Sequence, residues 1–333
     1  MKKTYLIQAH KNPEQLLRLI NRLDDGESFF YVHIDTKSNF ENFTAIIKQP
    51  NVKLIENRVD CIWGDFSQVE TTLNLIKETI QAKREAYTIF ISGQDYPIKN
   101  NAHINSYLEK NKEYEHIDFK LNNVDSINEP IPKNGNEFYI YRIRNKKVNF
   151  SNKKQDFILF PPWNTLFTLK GYKIPLRFLQ LLLKGKINLI SELFKSKAPS
   201  PFNFHYLGSQ WWAFRYETLL KIYNYVVSNE KALYGFYKET LCADELFFQT
   251  ILKHLMKTDK SIKIKENLTV VDFSRGDGCS PVDFTKNDLP MLVSQPENKL
   301  FARKFNFDVD SEIFDLIDKY LLNISNKLEL CEN

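Results

Sequence analysis

Three apolar runs of strand length, Thr4 to Ala9, Phe29 to Ile34 and Tyr87 to Ile91, are separated by segments of helical periodicity. This alternation constrains the fold more than any other feature of the chain. Asn12-Pro13-Glu14 reads as a helix start, with a polar cap, proline in the first turn and an early acid. Leu16, Leu17, Ile20 and Leu23 then recur at helical spacing. Ser67-Gln68-Val69-Glu70 spells a capping box that opens a helix to about Lys83, and another helix is expected from about Ala102. Strands separated by helices imply an α/β fold with a mainly parallel sheet covered by helices on both faces. Such sheets bind ligands beyond the carboxyl ends of their strands. His10, Asp35 and Asp95 each follow a strand and fall in that zone.

A chain of 333 residues is one large domain or two small ones. We expect a single domain over 1–333, with a nucleotide-binding half (1–115), an irregular basic excursion (116–205) and a catalytic half (206–333). In the last part, Gly208-Ser209-Gln210-Trp211-Trp212 precedes a helix to about Val227. Leu241 to Phe248 opens another helix, Leu268 to Phe273 is a strand, and Ser311 to Leu322 is a closing amphipathic helix.

No GxGxxG follows the first strand, and there is no P-loop, GxSxG or HExxH. Cys61, Cys242, Cys279 and Cys331 show no zinc-ligand spacing and are expected to be reduced. No run reaches the ~18–20 apolar residues that span a bilayer, and the N-terminal residues do not form a signal peptide. The expected location is cytoplasmic.

Charge is unevenly placed. Between Arg142 and Lys197, thirteen lysines and arginines face two acids, Asp156 and Glu192, leaving +11, whereas the remainder carries −6. The same segment holds the apolar run Ile174 to Leu183. Basic residues beside an apolar helical stripe seat proteins on anionic membranes, but they also suit a flap that packs on its own domain. Both readings stand at this stage. No nucleic-acid-binding signature accompanies the charge.

Three groups of residues could carry chemistry. In Asp244-Glu245, neighbours on a helix face different ways, so Asp244 can cap the helix while Glu245 serves as a general base; a solvated acidic turn is the plain alternative. In Phe301-Ala302-Arg303-Lys304-Phe305, two cations between phenylalanines suit a diphosphate, or a surface ion pair. Trp211-Trp212 and Trp63-Gly64 offer either sugar-stacking faces or core packing.

Taken in order, Ala9-His10-Lys11-Asn12, His33-Ile34-Asp35, Trp63-Gly64, Ser92-Gly93-Gln94-Asp95-Tyr96-Pro97-Ile98-Lys99, Gly208 to Trp212, Ala243 to Phe248 and Leu300 to Phe305 resemble glycosyltransferase family 14. That family holds the core-2/I-branching β-1,6-N-acetylglucosaminyltransferases and the protein O-xylosyltransferases. The string Cys279-Ser280-Pro281-Val282-Asp283-Phe284 looks more like the xylosyltransferase branch. The resemblance implies a GT-A-like fold and an inverting transfer from a UDP-sugar donor to a glycan or lipid-linked saccharide acceptor, with no metal or other cofactor. It implies that Glu245 is the base, that Arg303 and Lys304 hold the diphosphate and that Asp35 lies at the nucleoside. Gln210 and Trp211 would lie near the donor sugar and acceptor, with His10, Trp63 and Asp95 as further substrate-binding residues. Asp308-Val309-Asp310 spells a manganese-binding DxD but reads here as an acid cluster at a helix start.

In this reading, Glu245 removes the acceptor proton as the oxygen attacks the anomeric carbon. That general-base help contributes ~10²–10⁴-fold. The two cations stabilise the leaving diphosphate. The sequence lacks the anchor and cysteine richness of secretory-pathway members, so the expectation is a bacterial-type enzyme of surface-glycan synthesis, cytoplasmic and peripheral on the inner face of the membrane. Two other functions remain open. One is a glycoside hydrolase, which needs two carboxylates ~5–9.5 Å apart. The other is a non-catalytic sugar-binding pseudo-transferase.

Overall fold

The computed structural model describes residues 1–119, 137–167, 172–275 and 280–323. Cys279 and Cys331 lie outside these residues. The first half alternates β1 (Lys3–Ala9), α1 (Pro13–Leu23), β2 (Ser28–Ile34), α2 (Phe40–Ile46), β3 (Val52–Leu54), α3 (Ser67–Gln81), β4 (Tyr87–Ser92), β5 (Asp95–Pro97), α4 (Asn101–Lys110) and β6 (Tyr114–Ile117). The basic excursion contains α5 (Glu137–Arg144), the hairpin β7 (Lys146–Asn149) and β8 (Phe157–Phe160), then α6 (Lys173–Leu183) and α7 (Ile190–Phe194). The remainder comprises β9 (Trp212–Phe214), α8 (Tyr216–Ser228), α9 (Glu230–Tyr237), α10 (Phe247–Leu255), β10 (Lys263–Lys265), β11 (Thr269–Val271), α11 (Leu289–Val293), β12 (Phe301–Arg303) and α12 (Glu312–Tyr320).

Seven strands form the central sheet in the order β10-β6-β9-β4-β1-β2-β3. It is mainly parallel; β9 alone runs against its two neighbours. Successive side chains of a strand point to opposite faces, and both faces are buried. Tyr5, Ile7, Phe30, Val32, Ile89 and Ile91 pack under α1, α4 and α12. Leu6, Tyr31, Phe90 and Trp212 pack on the opposite side, under α3, α8 and α10. That two-sided burial is why these strands read as unbroken apolar runs.

A second sheet, β11-β12-β5, lies where distant strings of the sequence meet. β12 pairs antiparallel with β5, with Arg303 opposite Asp95 and Ala302 opposite Tyr96. The Tyr96 hydroxyl donates to Asp318 Oδ1 of α12 at 2.8 Å. Asp318 Oδ2 also accepts from Arg18 Nη2 at 2.7 Å and from Arg22 Nε at 2.8 Å on α1. One buried carboxylate therefore clamps α1, β5 and α12 together.

Several local expectations need correction. Asn12 does not cap α1: it adopts a left-handed conformation (φ 51°), and its side chain reaches Asn306 and Asp308 instead. The Ser67–Glu70 capping box does not form. Phe66 precedes the helix, and Ser67 Oγ accepts from Ile62 N at 2.9 Å. The described part of the excursion is not irregular: it holds α5, β7, β8, α6 and α7, and Val148, Phe150, Ile158, Phe160, Ile174, Leu181 and Leu193 form a small core there. The expected strand Leu268–Phe273 is shorter, at Thr269–Val271. Cys61 and Cys242 are free thiols, and burial pushes the Cys61 thiol up to about 12.

Asp318→Ala should leave Arg18 and Arg22 facing each other without their buried counter-charge. We expect a stability loss of about 3 kcal/mol, measured by thermal or urea unfolding. Retention of wild-type stability would show that Asp315, which also pairs with Arg18, suffices.

Candidate active site

The carboxyl ends of β1, β2 and β4 converge with the end of β12, and Arg303 sits at that junction. Its Nη1 donates to Asp95 Oδ1 at 2.9 Å and to Ser92 Oγ. Asp95 is fully buried, and its other oxygen accepts from Ser92 N at 2.7 Å. Burial raises the Asp95 pKa, while the Arg303 guanidinium opposes that shift. The guanidinium also lies 4.7 Å from the Trp211 ring centroid, and Trp211 stacks on Phe90 at 5.5 Å. Ion pairing on one side and a ring on the other fix the cation before any ligand arrives.

These contacts revise two sequence readings. Asp95, expected to be a substrate-binding residue, is closed to solvent and paired with Arg303. Trp211 is only 5% exposed, its ring enclosed by Phe90 and Arg303, so it supports the cation rather than offering an open sugar platform. Trp212 stacks between Phe90 and Phe214 in the core.

The Glu245 segment is built differently from the expected helix. Gly64 O accepts from Cys242 N at 2.9 Å. Cys242 takes a left-handed conformation (φ 51°), uncommon for a non-glycine residue and a source of local strain. A 3₁₀ turn, Ala243–Glu245, follows, and only then does α10 begin. Asp244 does not cap α10. Its Oδ1 is shut off from solvent with no hydrogen-bond partner among the described residues. Burial, then the neighbouring Glu245 charge, push the Asp244 carboxyl up to about 7.

Glu245 is partly exposed, and Oε2 accepts from Arg142 Nη1 at 2.9 Å and Nη2 at 3.0 Å. Its main-chain oxygen accepts from Gly208 N at 2.9 Å. Gly208 is required there, because a Cβ would come 1.9 Å from Asp118 O. Gln249 Nε2 donates to Ser209 O at 2.5 Å, and Gln210 Nε2 reaches Gln8 Oε1 at 3.3 Å. The loop from Gly208 to Trp211 thus joins the Glu245 turn to the ring beneath Arg303.

The other nominated residues border this junction. Asp35 is buried; it accepts from Lys37 N at 2.8 Å and Cys61 N at 3.2 Å, and so shapes the loop after β2. The His10 pKa is lowered by desolvation, then by Lys11, Arg303 and Lys37, with Asp35 opposing, which sets His10 in the same electrostatic neighbourhood. Lys304 Nζ lies 3.5 Å from Asp283 Oδ2. Trp63 packs with Leu159, Leu241 and Cys242, under Lys154, at the seam between excursion and body. Asp310 Oδ1 accepts from Ile313 N at the start of α12, while Asp308 contacts Lys11 and Asn12. Among the described residues, no three His, Cys, Asp or Glu side chains cluster closely enough to hold a metal ion.

Sequence reasoning missed Arg142. It stood only as one of thirteen cations, yet it is 3% exposed and holds Glu245. The sole signal was the segment's charge excess, which does not distinguish inward from outward side chains.

The family model described as "Core-2/I-Branching enzyme" matches residues 4–294. The chain is 25% identical to xylosyltransferase 2 of Rattus norvegicus and 24% identical to xylosyltransferase 2 of Homo sapiens, in each case over 95% of this chain and 33% of that protein. It is 28% identical to the beta-1,3-galactosyl-O-glycosyl-glycoprotein beta-1,6-N-acetylglucosaminyltransferase 3 of Homo sapiens over 54% of this chain and 41% of that protein. The chain therefore spans about a third of the length of the xylosyltransferases it matches.

Because the Asp244 carboxyl is raised, its stabilising contribution is complete below its unfolded pKa near 3.8 and is lost as pH rises through about 7. Asp244→Asn should remove this loss. Relative to wild type, the variant should gain on the order of 1 kcal/mol or more between pH 5 and pH 8, read by thermal unfolding at each pH. Parallel pH profiles for the two proteins would show that Asp244 ionises normally.

Proposed function

The chain belongs to the core-2/I-branching enzyme family, and on that footing we propose that it is an inverting glycosyltransferase acting on a UDP-sugar. The donor carries GlcNAc or xylose, and the acceptor is a hydroxyl of a glycan or lipid-linked saccharide in surface-polysaccharide synthesis. The mainly parallel sheet between two helical layers is the GT-A-like architecture in which such chemistry is housed. One observation carries the proposal: the loop Gly208–Trp211 links a partly exposed carboxylate, Glu245, to a pre-fixed cation, Arg303.

The steps follow from these groups. Arg142 occupies Oε2 of Glu245, so Oε1 takes the acceptor proton as the acceptor oxygen attacks the anomeric carbon. The bond to the UDP oxygen breaks on the opposite face, and an α-linked donor gives a β-linked product. Negative charge grows on the departing diphosphate. Arg303, already paid for in orientation by Asp95, Ser92 and Trp211, meets that charge, with Lys304 beside it. Electrostatic stabilisation by two cations makes a divalent ion dispensable in this scheme. Asp244, whose carboxyl burial and then the Glu245 charge push up to about 7, is protonated below that pH and there adds no second negative charge beside the base. His10 and Asp35 border the nucleoside end, Gln210 the sugar.

A panel of UDP-sugars, assayed for UDP release with and without saccharide acceptors, tests the reaction. Glu245→Gln should lower turnover by about 100-fold or more while leaving UDP affinity within a few-fold. Near-normal turnover in that variant would assign the base elsewhere.

Transfer should persist in excess EDTA, and Asp308→Asn should be nearly silent. Loss of activity on chelation, restored by manganese, would refute the two-cation scheme.

A further inference from the structure

The structure divides the cations of the basic segment into two sets. Arg142, Lys146, Lys147 and Lys197 point inward. They bind Glu245, Glu239, Asp65 and the Thr240 hydroxyl, respectively, and so fasten the excursion to the body. The second set surrounds α6. This helix has no acid along its length, and Ile174 and Leu181 anchor it to the excursion's core. Its outer side carries Leu176, Leu179 and Leu182, each about half exposed, and Leu183, 79% exposed; Ile187 extends the strip. Leu176, Leu179 and Leu183 fall at i, i+3 and i+7, one stripe of the helix.

Lys173, Arg177, Lys184 and Lys186 flank that stripe. The two acids of the segment are already neutralised, Asp156 by Lys184 at 2.9 Å and Glu192 by Lys195 at 2.7 Å. What faces outward is an apolar row beside Lys173, Arg177 and Lys186, which pair with no acid among the described residues. Isolated exposed leucines are ordinary, but a contiguous row of them marks a contact surface. Nucleic acid would use the cations and leave the leucines in water. An anionic lipid surface uses both, since acyl chains take up the leucines and headgroups meet the lysines.

We propose that α6 and the turn after it are a membrane seat for an anionic leaflet. The helix lies in the interface plane with Leu176, Leu179, Leu182, Leu183 and Ile187 among the acyl chains, and Lys173, Arg177 and Lys186 at headgroup level. Since Arg142, Lys146 and Lys147 tie the same excursion to the Glu245 side of the body, seating fixes the height and tilt of the site above the lipid. This inference does not depend on the reaction proposed above.

The test is cosedimentation of the full chain with vesicles of phosphatidylglycerol and phosphatidylcholine in equal parts, or of phosphatidylcholine alone, at about 50 mM and about 500 mM salt. The wild-type protein should pellet with the mixed vesicles at low salt, be largely released at high salt, and bind phosphatidylcholine at least about tenfold more weakly. Leu176→Ser/Leu179→Ser/Leu183→Ser removes groups at least half exposed and none of the excursion's core, so its melting temperature should stay close to wild type while vesicle binding falls about tenfold or more. Lys173→Gln/Arg177→Gln/Lys186→Gln should lose the preference for anionic vesicles. Failure of the wild-type protein to bind anionic vesicles at low salt would overturn the proposal. So would unchanged binding by the leucine variant, or a concentration-dependent dimer in ultracentrifugation that the leucine variant abolishes.

Discussion

A carboxylate sealed from water is tolerated only when a counter-charge and good hydrogen bonds accompany it. Asp95 is such a group, and Arg303 is its counter-charge at 2.9 Å. That pair forces β5 and β12 into register, since Arg303 must lie opposite Asp95 in the small sheet. The next residue, Tyr96, is then directed at Asp318, and so at α1 and α12. One polar contact thereby couples the site cation to the packing of an entire helical layer. It also explains why two strings some 200 residues apart each read as compact motifs: each is half of one interaction.

The central sheet was legible because its strands are buried on both faces. Tyr5 and Ile7 pack on one side and Leu6 on the other, so burial writes an unbroken apolar run into the sequence. Short strands leave no such trace. β5, β9 and β12 have three residues each, too few for periodicity to declare itself. Local capping signals misled for a related reason. Asn12 and Ser67 have cap-forming side chains, but Asn306 and Ile62, distant or looped back in space, compete for them. At the candidate site, Glu245 and Arg303 were nominated by the order of the motifs, since each string alone suited a solvated turn or a surface ion pair equally well. Their connection through Gly208 and Trp211 was not legible in the strings, because Gly208 approaches Asp118 O across ninety positions of sequence.

Tryptophan and lysine show the same limit in opposite directions. Trp211 has the chemistry of a sugar platform, yet Phe90 and Arg303 enclose it. The lysines of the excursion have the chemistry of surface groups, yet Lys146, Lys147 and Lys197 are interior struts. Desolvation lowers the Lys197 amine to about 7, and its ammonium or amine nitrogen donates to the main-chain oxygens of Ile143 and Asn145. Residue type carries the interaction a side chain can make. Topology decides which neighbour is there to make it with.

Among the described residues, the excursion's own core consists of seven buried side chains, well below what holds a domain together unaided. Arg142, Lys146, Lys147 and Lys197 tie it to the body. Arg142 lies on α5, whose Ile143 packs in the same cluster of the body as Ala243 and Leu246 on either side of Glu245. The Arg142–Glu245 contact at 2.9 Å therefore rests on the packing of the body, so that loosening of α6 and α7 leaves the carboxylate held.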